Sequence, residues 1–194
     1  MPEHPANFGD LAFTPAVKAT QERLGSRENY ARREGRHSRT RLGPEEAAFI
    51  AVRDSLYLAS VGENGWPYIQ YRGGPRGFLK LLDQETLGFA DFRGNRQYIS
   101  TGNVLATGRT CLFLMDYPAQ ERLKIWADAT LSEDPALLAQ LANSSYAAKA
   151  ERAFLFHVLA FDWNCQQHIV RRYTPEEYAA VSERELQKNN ERTN

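Results

Sequence analysis

Closely spaced strand patterns, separated by short turns, are the feature of this 194-residue sequence that most limits its fold. Alternating or continuous apolar runs cover residues 55–61, 67–72, 87–92, 110–115, 122–131 and 154–161, and a further apolar run at 78–82 follows a glycine-rich loop. Helical patterns are inserted near 95–105 and 132–141. Antiparallel strands with one buried face usually close into a barrel or sandwich. The sequence therefore predicts about six antiparallel strands in a small β-barrel with flanking helices, a mainly β fold of the α+β class.

Helices are predicted on both sides of the barrel. Thr14 followed by Pro15 is typical of a helix N-terminus, a second helix is expected to begin at Pro44, and residues 174–177 cap a C-terminal helix. The expected organisation is an N-terminal arm with helices over 1–48, the barrel over 49–172, and a C-terminal helix and tail over 173–194. The arginine-rich stretch within 27–41 is interpreted as a solvated connector or, alternatively, as an arm that reaches an anionic ligand.

Two neighbouring strands are expected to pack differently. The run at 110–115 is continuously apolar, which predicts a strand buried on both faces. In the strand at 122–131, one face is apolar, whereas the other carries Arg122, Lys124 and Trp126. A basic pair beside an indole indicates a surface that meets an anionic or aromatic partner, such as a second subunit with its ligand. The alternative is a half-exposed tryptophan packed by a lysine stem.

The stretch at 87–99 predicts an anion-binding turn. It combines a short strand, a turn at Gly94 and a helix expected to begin near Asn95. The first N–H groups of a helix lack partners and lie at the positive end of its dipole, so they favour an anion. Asn95 can cap that end, and Arg96 and Gln97 add donors suited to a phosphate. The alternative is a purely structural unit with its arginine in solvent.

Composition excludes several classes of partner. Lys plus Arg equals Asp plus Glu at 24 each, so no net field attracts nucleic acid or anionic membranes. Cys111 and Cys165 form no metal-ligand spacing and no disulfide framework, which favours a reducing compartment. There is no leading basic-then-apolar segment and no long apolar run. We therefore expect a cytoplasmic protein with no nucleic-acid, membrane or metal partner.

Several segments resemble the pyridoxamine 5'-phosphate oxidase-related FMN-binding family. They are GWPYIQYRGGP at 65–75, FADFRGNRQYIS at 89–100, LMDYP at 114–118 and RLKIW at 122–126. The stretch DWNCQQHI at 162–169 is similar to a C-terminal motif of one branch of that family. The resemblance implies a six-stranded antiparallel split β-barrel that forms a homodimer, with FMN bound in two equivalent clefts at the subunit interface.

The resemblance also implies which residues would bind FMN. The family's phosphate-binding turn falls on Asn95, Arg96 and Gln97. Asp91 takes the place of a hydroxyl residue near the phosphate or ribityl chain. The family's strand along the flavin ring matches Gln70, Tyr71, Arg72 and Gly73. The family's strand that reaches the ring from the partner subunit matches Arg122 and Lys124. Trp163 is expected either to stack on the flavin or substrate as part of a lid, or to be a structural tryptophan at a barrel corner.

FMN carries redox chemistry, so the resemblance implies a flavin-dependent oxidoreductase acting on a reduced nicotinamide or a small organic substrate. A cation such as Arg72, Arg122 or Lys124 near the pyrimidine end of the ring would stabilise the anionic reduced flavin. The alternatives are an FMN-binding carrier or sensor and, less expected, a haem-binding split barrel. Pyridoxamine 5'-phosphate oxidation itself is not expected, because Gln97 replaces a basic residue and no segment after Arg171 matches the family's substrate-binding C-terminus.

Overall fold

The structure, a computed structural model, describes residues 8–32, 40–142, 146, 148–163 and 167–191, with side chains up to residue 183. Predictions on residues 1–7, on the connector at 33–39, and on Asn164 and Cys165 lie outside these ranges. The described helices are α1 (Phe8–Ala12), α2 (Pro15–Arg23), α3 (Arg27–Ala31), α4 (Pro44–Ala51), α5 (Ile99–Thr107), α6 (Pro135–Leu141) and α7 (Pro175–Glu191). None of these described helices is both long and apolar enough to cross a membrane.

The strands form one antiparallel sheet in the order β2-β1-β5-β6-β7-β4-β3. They are β1 (Ser55–Val61), β2 (Pro67–Gly73), β3 (Lys80–Leu81), β4 (Thr86–Phe92), β5 (Arg109–Asp116), β6 (Glu121–Ser132) and β7 (Ala150–Trp163). The prediction of six strands is wrong, because the described residues form seven. Only two residues of the apolar run at 78–82 pair with β4, since Phe78 closes a turn by donating its N–H to the Pro75 carbonyl at 2.9 Å.

The hydrophobic core lies against one face of the sheet. On β6, the alternate residues Leu123 and Ile125 are fully buried, as the alternation predicts. Phe89 of β4 stacks on Phe154 of β7, with ring centroids 5.3 Å apart and planes 16° from parallel. Burying one such side chain stabilises a fold by about 2–3 kcal/mol. Phe89 and Phe154 are also directly paired in the sheet, so this stacking joins β4 to β7.

The opposite face of the sheet is apolar but only partly covered. We call it the outer apolar face; it comprises Tyr57, Ile69, Tyr71, Cys111, Phe113 and Trp126. Ile69 is 65% exposed and Tyr71 is 61% exposed, whereas Phe8 of α1 covers Trp126 at a centroid distance of 5.1 Å. The prediction that β5 is buried on both faces is therefore wrong for a single chain, because its outer side chains are only half-buried.

The C-terminal end of β7 is fastened to α4. Gly43 donates its N–H to Glu46 Oε2 at 2.9 Å, so the Glu46 side chain satisfies a backbone N–H at the start of α4. The indole N–H of Trp163 donates to the other oxygen of Glu46 at 2.8 Å, and its ring lies edge-on to Phe49 at 4.8 Å. Glu46 is only 7% exposed, so both bonds satisfy a buried carboxylate.

Candidate functional site

A polar cavity of about 230 Å³ lies where β2, β4, the loop at 93–98, α5 and β7 meet; we call it the anion cavity. Five residues predicted to bind the cofactor line it: Gln70, Arg72, Asp91, Asn95 and Arg96. The other lining residues are Phe92, Gly94, Tyr98, Ser100, Thr101 and Glu151. The fold thus brings together side chains that the sequence could place only on separate strands and turns.

The loop at 93–98 differs from the predicted helix start. The helix α5 begins at Ile99 and not near Asn95, because Arg96 and Tyr98 have φ values of 62° and 54°. Those values lie in the left-handed region, which interrupts a right-handed helix. Asn95 caps no helix; its Oδ1 accepts the Gln97 N–H at 3.2 Å, as in an Asx turn. The predicted helix N-terminus is wrong, yet Asn95 and Arg96 still line the cavity.

Arg96 is held toward β7 by a relay through Tyr98. The Arg96 Nε–H donates to the Tyr98 hydroxyl at 3.3 Å, and that hydroxyl donates to Glu151 Oε2 at 3.4 Å. The hydrogen bond to Tyr98 raises the pKa of Arg96 above its ordinary value, so the side chain remains a cation. A Cβ built on Gly94 would meet no atom within 4 Å, which leaves open space beside the loop.

Gln70 is oriented by the first turn of α5. The hydroxyl of Ser100, a residue only 1% exposed, donates to Gln70 Oε1 at 2.8 Å. One helical turn further on, Asn103 Nδ2 donates to the Ser60 hydroxyl at 3.0 Å and fixes α5 against β1. Because its amide oxygen already accepts a hydrogen bond, Gln70 has its NH₂ group to offer to a ligand.

Arg72 and Asp91 form a short ion pair on the cavity wall. Arg72 Nη1 lies 2.7 Å from Asp91 Oδ1, and the two side chains are 17% and 8% exposed. Burial raises the pKa of Asp91 above its ordinary value, and the charges of Arg72 and Arg152 oppose that rise. The pair neutralises most of the charge on Arg72. The carboxylate at position 91 is therefore not an isolated negative charge beside an anion.

Three further residues belong to this site that the sequence did not single out: Tyr98, Glu151 and Arg152. Arg152 pairs directly with Asp91 across β4 and β7, and its guanidinium lies 4.9 Å from the centre of the Tyr98 ring. Cross-strand register is set by the whole sheet, so no local pattern could place these residues. The charged pair at 151–152, just before the apolar run at 154–161, was the available signal.

A smaller cavity of about 160 Å³ adjoins the first and shares Arg72, Asp91 and Phe92 with it. Tyr71 and Gly73 line this second cavity, so each predicted ring-side residue at 70–73 borders one of the two. A Cβ at Gly73 would approach the Tyr71 ring to 3.0 Å, closer than ordinary contact. A glycine at position 73 therefore lets the Tyr71 ring lie beside the strand.

Four of the predicted residues line neither cavity. Gln97 is exposed on the loop, next to Asn95. Arg122 and Lys124 lie on the outer side of β6, where the Lys124 Nζ is 5.5 Å from the Trp126 ring centre. The Nε of Arg122 is buried and has no hydrogen-bond partner among the described residues. Trp163 packs on α4 as described above and also against the hydrophobic core.

Comparison with known proteins supports this reading of the fold. The HupZ structure from Group A Streptococcus superposes with a TM-score of 0.52 at 13% identity, covering 68% of this chain and all of that one. An FMN-binding protein from Syntrophomonas wolfei superposes with a TM-score of 0.51 at 12% identity, covering 74% of this chain and 97% of its own. At these identities the likeness establishes the fold alone. Among curated proteins, none matches the sequence.

The family comparison is more specific, because it scores the sequence itself. The family model described as pyridoxamine 5'-phosphate oxidase matches residues 42–164, well over half of the chain and every strand of the sheet. The predicted split β-barrel and the predicted family are both confirmed. This chain belongs to the pyridoxamine 5'-phosphate oxidase family.

Proposed function

We propose that this protein binds FMN, with the phosphate group in the anion cavity. The observation that carries the proposal is the convergence of Arg96, Asn95 and the Gln70 amide on one cavity, beside open space at Gly94. An arginine cation and two side-chain amides can all donate hydrogen bonds to a phosphate. The description of the Syntrophomonas wolfei neighbour as FMN-binding supports the same ligand.

In this proposal the flavin ring lies along residues 70–73 of β2. The two cavities border this strand segment, and Tyr71 belongs to the outer apolar face. Gln70 and Arg72 border the anion cavity, whereas Tyr71 points to the outer face, 5.9 Å from the Tyr57 ring. This alternation suits a ligand with a charged tail and a flat, largely apolar head, because one strand offers polar groups on one side and aromatic surface on the other.

The functional unit we propose is a homodimer that joins through the outer apolar face. Ile69 and Tyr71 are more than half exposed on a sheet surface that continues through Phe113 to Trp126. Contiguous apolar surface of this kind marks an interaction site. A second copy would cover it, bury both sides of β5, and bring Arg122 and Lys124 of one subunit toward the ring site of the other.

Bound FMN supplies hydride and electron transfer, and the protein positions it. We propose a flavin-dependent oxidoreductase that uses a reduced nicotinamide or a small organic substrate. Arg72 is compensated by Asp91, so Lys124 is the better candidate for the cation near the pyrimidine end of the ring. Pyridoxamine 5'-phosphate oxidation is not proposed, since Gln97 stands where that activity has a basic residue.

The test is the visible absorption spectrum of the freshly purified protein, followed by chromatography of the released chromophore and an FMN titration of the stripped protein. We expect a flavin spectrum and FMN on release. Arg96→Ala should weaken FMN binding by roughly 10- to 100-fold, as for loss of a charge-assisted contact. Arg32→Ala is the control, because Arg32 pairs with Glu28 on an exposed helix surface.

Two outcomes would contradict parts of this proposal. A colourless protein that cannot be reconstituted with FMN would overturn the cofactor assignment. A protein that binds FMN but whose flavin is reduced by neither nicotinamides nor small organic donors would retain the cofactor and overturn the oxidoreductase assignment in favour of a carrier or sensor.

A further inference from the structure

Glu151 is the extra residue of a β-bulge on the wall of the anion cavity. The pairing of β4 with β7 shifts register between Asp91 and Phe92, which leaves Glu151 without a partner in the ladder. Bulges re-aim a side chain and are frequent beside functional sites. Here the bulge allows the consecutive residues Glu151 and Arg152 to contact the same side chain, Tyr98.

Several donors converge on the Glu151 carboxylate. The Tyr98 hydroxyl and Arg152 Nη2 lie 3.4 and 3.3 Å from Oε2, and Arg93 Nε lies 3.8 Å from Oε1. Arg96 joins this group through the Tyr98 hydroxyl at 3.3 Å. Each contact is at the long end of the range for hydrogen bonds or ion pairs. The carboxylate, 21% exposed, is therefore surrounded by donors but held tightly by none.

We propose that Glu151 is a built-in counter-anion of the phosphate-binding loop. Without ligand, its carboxylate contacts Arg93 and, through the Tyr98 hydroxyl, Arg96. When a ligand binds, the carboxylate repels its phosphate. It therefore lowers the affinity for flavins that carry a phosphate. The inference rests on the proposed FMN binding. It follows from charge, because a phosphate drawn to the arginines that surround Glu151 must share them with a like charge.

A purely structural role for Glu151 makes the opposite prediction. If the carboxylate only ordered Arg152 and Tyr98, its removal would loosen the loop and weaken every ligand of the site. If it acts as a counter-anion, neutralising it tightens FMN binding. Riboflavin, which has the same ring and ribityl chain but no phosphate, should then be unaffected. The ratio of the two affinities therefore separates the roles.

The experiment is a titration of stripped wild-type, Glu151→Gln and Glu151→Ala proteins with FMN and with riboflavin, followed by flavin fluorescence and calorimetry. Gln is isosteric and keeps an acceptor for the Tyr98 hydroxyl. We expect both variants to bind FMN roughly three- to tenfold more tightly than the wild type, with riboflavin affinity unchanged. Glu85→Gln is the control, because Glu85 forms an exposed ion pair with Arg41 at 3.4 Å and does not line the cavity.

The possible failures are distinguishable. If the wild type binds FMN and Glu151→Gln binds it equally or more weakly, the counter-anion role is overturned while the proposed cofactor stands. If riboflavin gains as much affinity as FMN, the effect does not act through the phosphate and the inference is again wrong. If the wild type binds no FMN, the proposed function fails and this inference fails with it. Thermal unfolding of each variant shows whether the fold is intact.

Discussion

The anion cavity and the outer apolar face share one strand, β2, but the chain completes only the first of them. Gln70 has its partner in Ser100, and Arg72 Nη1 has its partner in Asp91; only Arg72 Nε in this pair of side chains is buried without a hydrogen-bond partner among the described residues. The alternate residues Ile69 and Tyr71 are 65% and 61% exposed. Polar groups must find partners within the chain, since a buried unpaired polar atom costs about 1–3 kcal/mol. Apolar side chains can instead be covered by a second molecule.

We infer from this difference that the two faces of β2 are completed in different ways, which we call the division of labour along β2. One face is organised in the single chain, and the other is completed by association. If a flavin lies across both, the cavity alone should bind it weakly, because half of its surroundings come from the second subunit. The largest expected effect therefore comes from breaking the outer face while leaving every residue of the cavity in place.

Ile69→Asp places a carboxylate on the outer apolar face, in its exposed edge strand β2. We expect the proposed dimer to dissociate and FMN affinity to fall by roughly 100-fold or more, because a charge buried without a partner at an interface costs several kcal/mol. Sedimentation velocity measures the first effect and FMN titration the second. Leu24→Asp is the matched control, since Leu24 is 67% exposed at the end of α2. A variant that stays dimeric, or a monomer that binds FMN normally, would contradict the division of labour.

A second test concerns Trp163, for which the sequence allows either stacking on the flavin or substrate or a structural place at a barrel corner, and which contacts α4 in the structure. Trp163→Phe keeps an aromatic ring against Phe49 but removes the indole donor to the buried Glu46. We expect the free energy of unfolding to fall by about 1–3 kcal/mol, with FMN affinity unchanged. Urea denaturation measures the first quantity.

The same variant also tests the alternative that Trp163 stacks on the flavin. If Trp163→Phe weakens FMN binding tenfold or more and leaves the unfolding midpoint unchanged, the residue stacks on the ligand in the assembled protein. Glu46→Gln separates the cases further, because it perturbs the same hydrogen bond from the helix side without touching the ring. Equal losses of stability in both variants would identify a structural contact.

Local patterns in the sequence were sufficient to predict most of the strands and the position of the loop that lines the anion cavity. Period-two alternation placed Leu123 and Ile125 in the core, and glycine-rich turns separated the strands. The sequence located the loop at 93–98 correctly, but it predicted a helix start there instead of left-handed conformations at Arg96 and Tyr98. Left-handed Arg96 and Tyr98 are favoured by contacts with β7, which lies far along the chain and leaves no trace in the loop itself.

The features that the sequence did not predict depend on strand register and on association with a second molecule. Patterns in a single sequence do not encode either of these. The bulge at Glu151 and the pairing of Arg152 with Asp91 follow from how β4 and β7 align as whole strands. The apolar run of β5 was predicted to be buried on both faces, and within one chain it is not. That error is informative, because a continuously apolar strand whose outer side is half-exposed fits the dimer proposed above.

The smallest expected effect tests whether the charge of Arg72 compensates for the burial of Asp91 in the cavity wall. Burial raises the pKa of Asp91, so the folded state holds this proton more tightly than the unfolded state. The stability contributed by Asp91 is then fully present below its unfolded value of 3.8 and is lost as pH rises through the higher folded value. Relative to Asp91→Asn, the wild type should lose unfolding free energy as pH rises above 3.8.

Asp83 provides a control of opposite sign. Its carboxylate accepts the Glu85 N–H at 2.7 Å, and this hydrogen bond lowers its pKa, so its contribution is present above 3.8 and is lost as pH falls through the folded value. Urea unfolding of wild type, Asp91→Asn and Asp83→Asn from about pH 2.5 to 7 should give difference curves of opposite slope. If the Asp91 curve is flat or follows the Asp83 curve, the charge of Arg72 outweighs the effect of burial, and the ion pair stabilises the folded state.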